Sequence, residues 1–593
     1  MTQPAVEITE LDGALGVLPA SAGRLLALIG PADDGPINTP ATFARVKDLI
    51  ANFGGGPTVQ AAAHAIERYG KPVVIVRTAA SVEGDYLGEV EAEDGAISAI
   101  TKTGTGTSTY TDNSSDPLVA AEVKVLFVVG GTRGVAGIVY QISLDAGQAW
   151  SPPIALGTDV TFDILSTGAS IAISAGDVDP GDFIEFTLTA PILASAGEMV
   201  IDVDGSSAPT LTSGTHPNDD YEALFVVEDG GTIGVVGITF RWSLDGGRTM
   251  SAVTALGTSN HFIFPNSGGT RIDFAAGDLD DGDSIAFPTV APCWTAAELG
   301  AALDALKVSA INWEIAQVVG PIDGDAFDMV ELKIAAMSAV GKYHTWMGNT
   351  RLPVGDESEA TYLASLTSEF SSKSTVRGAL CAGGEKLTSS VDGRKYRRPV
   401  SFVAAAREAN VSEEIDTADV NLGPFVGVSI RDSNGNPDEH DESSNPGLDD
   451  ARFYVLRTWD DFAGVYVNRP RLFSAEGSDF QLVPHRRVMD LGSAALRAYF
   501  SRRLNKPVQV SKVTGFILES EAQEIEAGAT AVMRAALTSK PKASGVSFAL
   551  SRTDNLLSTK TLTGDARIIP LAYPEQIQLT IGFLNPALQV QAV

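Results

Sequence analysis

The chain has 593 residues, with 74 Asp and Glu against 42 Lys and Arg, a formal charge of −32. Length allows three or four domains at roughly 150 residues each, and 2 cysteines, Cys293 and Cys381, are too few for a disulfide framework. Residues 81–292 hold 30 acidic and 6 basic side chains, a surface that repels phosphate backbones and argues against nucleic acid as a partner.

Residues 1–20 alternate weakly, with Val6 and Ile8 against Glu7 and Thr9, and read as an extended arm. Met1-Thr2-Gln3-Pro4 lacks a signal-peptide pattern, and no apolar run reaches the roughly 18 residues of a membrane helix, so assembly in a cytoplasm without lipid insertion is expected. Residues 21–80 form an α/β unit: strand Leu25 to Gly30, a helix from Thr39-Pro40 to Gly54 with Phe43, Val46, Leu49, Ile50 and Phe53 on one face, a helix from Pro57 to Gly70, and strand Val73 to Val76. Two continuously apolar strands joined by helices imply a parallel crossover.

Residues 81–200 and 201–292 then repeat one another about one hundred residues apart. Leu126-Phe127-Val128-Val129 matches Leu224-Phe225-Val226-Val227, Ser143-Leu144-Asp145 matches Ser243-Leu244-Asp245, and Ala175-Gly176-Asp177 matches Ala276-Gly277-Asp278. Short alternating runs between Gly/Asp turns predict two tandem β-sandwich-like domains inserted into the α/β unit. Helix and strand alternation resumes at Trp294 and fills 293–485, with an exposed polar loop expected over Asp432 to Asp450. Residues 486–593 form a C-terminal domain: helices Asp490 to Leu504 and Glu519 to Ser539, strands Gly545 to Leu557 and Ser558 to Ile569, and the strict alternation Gln576 to Phe583. Ile577, Leu579, Ile581 and Phe583 share one face of that last segment, which either joins its own sheet or is lent to a neighbour. With Val6 and Ile8 it makes the candidate inter-subunit strand set.

Chemistry-bearing patterns are sparse. Ser143-Leu144-Asp145-Ala146-Gly147-Gln148-Ala149-Trp150 fits an Asp box and Ser243 to Met250 is a degenerate copy. Such boxes suggest a glycan-binding or glycan-cleaving surface protein, but a propeller needs more than two blades, and a local turn device explains them as well. Asp177 to Asp182 and Asp278 to Asp283 put Gly at position five and lack a closing Glu, the wrong register for a calcium loop. The six histidines are not paired for metal, His64 reads as a surface or packing residue, and Arg486-Arg487 beside Asp490 suits either a phosphate clamp or an ion pair. We therefore expect no catalytic residue, no cofactor and no metal, which also disfavours an α/β enzyme with β-sandwich accessories.

Thr42-Phe43-Ala44 through Phe53-Gly54-Gly55, the helix to Tyr69-Gly70 and the strand ending Val76-Arg77 resemble the opening domain of contractile tail sheath proteins of tailed bacteriophages. Tyr454-Val455-Leu456-Arg457, Gly464 to Asn468, Gly477 to Gln481, Arg486 to Asp490 and the closing Pro570 to Phe583 are similar to the later sheath core and its last strand. The resemblance covers about 1–80 and 294–593, and the duplicated block looks like the insert of some phage sheaths. It implies an α/β core split in sequence and a virion subunit that polymerises helically with itself around a tail tube protein. It also implies contact with baseplate and terminator proteins, and contraction that drives the tube through a cell envelope.

Overall fold

The computed structural model describes residues 25–86, 96–113, 117, 121–165, 167–189, 200–202, 204–211, 216–353, 357–432 and 435–583. The arm with Val6 and Ile8 lies outside the described residues. Strand β1 (Leu25–Gly30) is followed by a short β2 (Ala41–Phe43), helices α1 (Val46–Phe53) and α2 (Pro57–Tyr69), and β3 (Val73–Arg77). After the insert come α3 (Ala296–Val308), β4 (Trp313–Pro321), α4 (Gly324–Ala339), β5 (Thr345–Asn349), α5 (Glu359–Glu369) and β6 (Gly378–Cys381). They build one sheet in the order β2-β3-β1-β4-β5-β6, parallel except for β2. Apolar runs suit strands buried on both faces. Leu26, Leu28, Val73 and Ile75 pack toward α1, α2 and the later helix α6 (Ser401–Asn410), whereas Ala27, Ile29, Val74 and Val76 pack toward α3, α4 and α5. Chain direction across the sheet reverses at β1, so the two crossovers leave on opposite faces.

The helix expected from Thr39-Pro40 begins only at Val46. Thr42 and Phe43 pair with Val74 and Val73 at the sheet edge, and backbone pairing there outweighs a longer helix. Phe43 still meets Phe53, ring edge to face at 5.6 Å. Downstream, Thr295 and Glu298 form a reciprocal capping box that starts α3.

The insert leaves after β3 and returns before α3. Each copy places a six-stranded and a three-stranded sheet around its own apolar cluster. The register differs from the string match: Ser143 pairs with Lys124 and Ser243 with Leu224, so Phe127 corresponds to Val227. A two-residue slip keeps every side chain on its face, whereas Gly130 and Gly230, like Ser143 and Ser243, already stand at the structural offset. Nor do the copies simply follow one another. Asp85–Tyr86, which precedes the first copy, pairs with Ser284–Val290 of the second, and Val200–Asp202 pairs with the same strand. In the first copy the corresponding residues Ile97 and Lys102 are separated by one short connection. The first copy is thus nested in that connection of the second.

The second copy is seated on the core by the hairpin β7 (Gly384–Thr388) and β8 (Lys395–Pro399). Arg394 lies 4.7 Å over the Trp242 ring, the Lys395 amide donates to Asp245 Oδ2 at 3.3 Å, and Tyr396 joins the second copy's cluster. Arg398 donates to Asp219 Oδ2 at 2.9 Å and to Gln60 Oε1 at 3.3 Å, with Arg398 and Asp219 1% and 0% exposed. Burial pushes the Asp219 carboxyl up to about 7 even beside this guanidinium.

Of the polar loop expected over 432–450, Asp432, Gly435 to Asp438 and Ser443 to Pro446 are exposed as expected, but Glu439 to Glu442 and Asp449 are not. Glu439, His440, Asp441, Glu442 and Asp449 are buried because each charge meets a partner. His440 bridges Glu359 and Glu442 at 2.9 Å each, Arg397 holds Glu439 at 2.6 Å, and Arg431 donates to Asp441 at 2.9 Å. Polarity alone reads as solvent, and paired burial reverses it.

Candidate functional site

The C-terminal unit hangs on α7 (Val483–Ser501), which starts earlier than its sequence pattern suggests because Pro484 suits a first helical turn. Arg487 donates to Glu314 Oε1 at 2.9 Å, to the Glu408 carbonyl at 2.8 Å and to the Val411 carbonyl at 3.2 Å, closing the end of α6. Arg377 grips Asp490 with both nitrogens at 2.9 and 3.1 Å, and Arg486 adds 3.0 Å. The Arg486-Arg487 pair is thus engaged by carboxylates and carbonyls, so the ion-pair reading holds and the phosphate clamp does not. Burial raises Glu408 to about 7 against the pull of Arg487.

Beyond α7 lie α8 (Glu519–Met533), continued by a π turn at Arg534–Thr538, and a two-stranded antiparallel sheet of β9 (Gly545–Leu550) and β10 (Gly564–Ile569). The two long strands expected here are shorter because Asn555 caps a helical turn, Leu556–Thr559, between them. Among the described residues each strand has one strand partner, so the outer edges lie outside any further sheet ladder, and a sheet of two strands is marginal by itself.

After β10 the chain is pinned over the six residues Pro570 to Glu575. Ser544 donates to the Pro570 carbonyl at 3.0 Å, His485 Nε2 lies 3.1 Å from the Leu571 carbonyl, and the Tyr573 hydroxyl donates to the Glu414 carbonyl at 2.6 Å. Burial, with Asp416 and Glu414 nearby, pushes Tyr573 up to about 12 and keeps it a donor. Arg469 holds Glu575 at 3.0 Å. From Gln576 to Phe583 the backbone is in neither helix nor strand. Ile577, Leu579, Ile581 and Phe583 are 71, 80, 92 and 111% exposed. The alternating segment therefore does not complete a sheet of its own chain, contrary to one of the two expectations. Four large apolar side chains thus stand in water on a pinned root.

The other sequence candidates resolve into packing and turns. His64 is buried in α2, and burial with Arg68 nearby lowers it to about 4. Asp145 Oδ1 accepts from the Gln148 and Ala149 amides at 2.9 and 2.8 Å, and the Ser143 hydroxyl caps Gly147, a hairpin-turn device repeated at Asp245. Asp182 accepts from the Thr105, Gly106 and Asp179 amides, and Asp283 from those of Asp204 and Asp280. Among the described residues no group of three or more His, Cys, Asp or Glu is placed to hold a metal. Sequence reading missed the seam around Asp219, Arg398 and Tyr396; the one signal was the basic run Arg394 to Arg398 facing an acidic insert.

No curated protein matches this chain. Among solved structures it is similar to the sheath tail protein Lin1278 from Listeria innocua, at 10% identity over 93% of this chain and 97% of that one, TM-score 0.38. It is similar also to the sheath tail protein DSY3957 from Desulfitobacterium hafniense, at 9% identity over 96% and 100%, TM-score 0.38. A third is the helical sheath of the anti-feeding prophage in its contracted state, at 14% identity over 50% and 78%, TM-score 0.35. The family described as DUF2586, N-terminal domain, matches residues 3–471, and the chain belongs to that family.

Proposed function

We propose that the protein is a structural subunit of a contractile tail sheath, joined to copies of itself by exchange of terminal strands. The observation that carries this reading is the arm: Pro570 to Glu575 is held by Ser544, His485, Glu414 and Arg469, and Ile577 to Phe583 stands in solvent. A donated strand satisfies an open edge through backbone hydrogen bonds, tying subunits together without a large rigid interface. Head-to-tail links of this kind propagate as a helix where the rotation between subunits does not close into a ring. Subunits can then turn as rigid bodies while the links persist, the movement a contracting lattice needs. Its partners in this reading are other copies, a tail tube, a baseplate and a terminator, within a virion tail assembled in a host cytoplasm, and contraction drives the tube through the host envelope. The sheath-like motifs at both ends of the core support the same reading.

Negative-stain microscopy of the purified chain tests it. Tubes or ring stacks are expected from the full chain and none from a chain ending at Glu575. Monodisperse particles under all assembly conditions would remove the reading.

A further inference from the structure

A cavity of about 330 Å³ lies where the second inserted domain meets the core. Its floor is formed by the carboxyl ends of β1, β4 and β5: Pro31 follows β1, Val319 to Pro321 end β4, and Thr350 and Arg351 follow β5. The strand order reverses between β1 and β4, and in open α/β sheets the crevice outside the carboxyl ends at such a reversal is where ligands bind. Here the insert, leaving from the same end of β3, roofs it with Tyr221, Leu244 and the return segment through Ala291 and Cys293.

We infer that this roofed crevice is a binding site for a small aromatic molecule that carries no negative charge, independent of strand exchange. The volume falls within the range of small-molecule sites, and domain seams are common places for them. Seven prolines, among them Pro31, Pro292, Pro321 and Pro353, stand in its wall. Their rings are stiff and add no N–H donor, so the wall keeps its shape and offers flat apolar faces. Tyr396 and Phe402 complete a lining suited to ring stacking.

Charge selects the ligand further. Arg351 is taken up bidentately by Glu357 at 2.6 and 2.7 Å, and Arg397 by Glu439 at 2.6 and 3.1 Å. Asp245 accepts from Thr249 and Lys395, Asp220 accepts the Ala291 amide at 2.7 Å, and Glu222 pairs with Arg248. Both wall guanidiniums are thus paired, and among the described residues the wall keeps no free cation for an anionic ligand, which would be desolvated without a partner.

The experiment uses the full chain and two fluorescent probes of like ring system, uncharged N-phenyl-1-naphthylamine and its anionic counterpart 1-anilinonaphthalene-8-sulfonate. Saturable one-to-one enhancement is expected with the neutral probe and at least tenfold weaker binding with the anion. Ala291→Trp, whose backbone bond to Asp220 is kept, should fill the cavity and abolish neutral-probe binding, while Ala291→Ser retains it. Cys293 lines the cavity and Cys381 is fully buried, so bound probe should also slow iodoacetamide alkylation of Cys293 at least severalfold in the unmutated chain, a readout that does not depend on any variant folding. Unsaturable binding, equal affinity for both probes, unchanged binding in a folded Ala291→Trp chain, or an unprotected Cys293 would each overturn the site.

Discussion

Leu579→Pro separates a donated strand from an internal one. In the free chain Leu579 is 80% exposed and lies in no strand, so the substitution should move the monomer's stability by no more than about 0.5 kcal/mol. In an assembled lattice the same residue would sit mid-strand, where proline removes a ladder donor and leaves a buried carbonyl unmet, costing about 1–3 kcal/mol for each subunit link. Each 1.4 kcal/mol is tenfold in an equilibrium constant, so the concentration needed for tube growth should rise by roughly 5- to 150-fold. The assay is sedimentation of tubes across a protein concentration series, with thermal melting of the same chain by circular dichroism held alongside. Tubes at an unchanged threshold, or a melting point that falls with assembly, would refute intermolecular use of this segment.

Arg398→Met should destabilise the seam by about 3–5 kcal/mol, since it leaves Asp219 buried without its cation; urea unfolding followed by tryptophan fluorescence should then resolve the insert from the core, and a single unshifted transition would contradict the latch. For Asp219, ordinarily near 3.8 and raised to about 7 in the fold, the folded state keeps a proton the unfolded state has lost between those values. Stability should therefore fall as pH rises from 4 to 7, by up to about 4 kcal/mol, and Asp219→Asn should flatten that slope in calorimetric scans. Because the first copy is nested, joining Tyr86 to Ile201 by four residues that repeat the sequence of 98–101 should remove it and leave a folded, assembly-competent chain, as read by melting and microscopy. Removing 85–290 instead strips Tyr396 and Arg398 of their partners and should lower core stability.

How much was legible in sequence can be traced through particular elements. The runs Leu25 to Gly30 and Val73 to Val76 announce buried parallel strands because they have no polar face, and the duplication announces two β domains because turns and alternation are local. Ile577 to Phe583 shows its two-faced character for the same reason, since period two belongs to the residues themselves. What the tertiary structure alone decided are relations between distant residues. The pairing of Tyr86 with Thr289 that nests one copy in the other has no local signature, because any short strand could fill that edge. Burial of Glu439, His440, Asp441 and Glu442 depends on partners as far apart as Glu359 and Arg397, whereas hydropathy prices each residue as if it met water. The cavity at the β1 and β4 ends exists because the sheet reverses there and the insert returns above it, a consequence of chain path that no window of sequence contains.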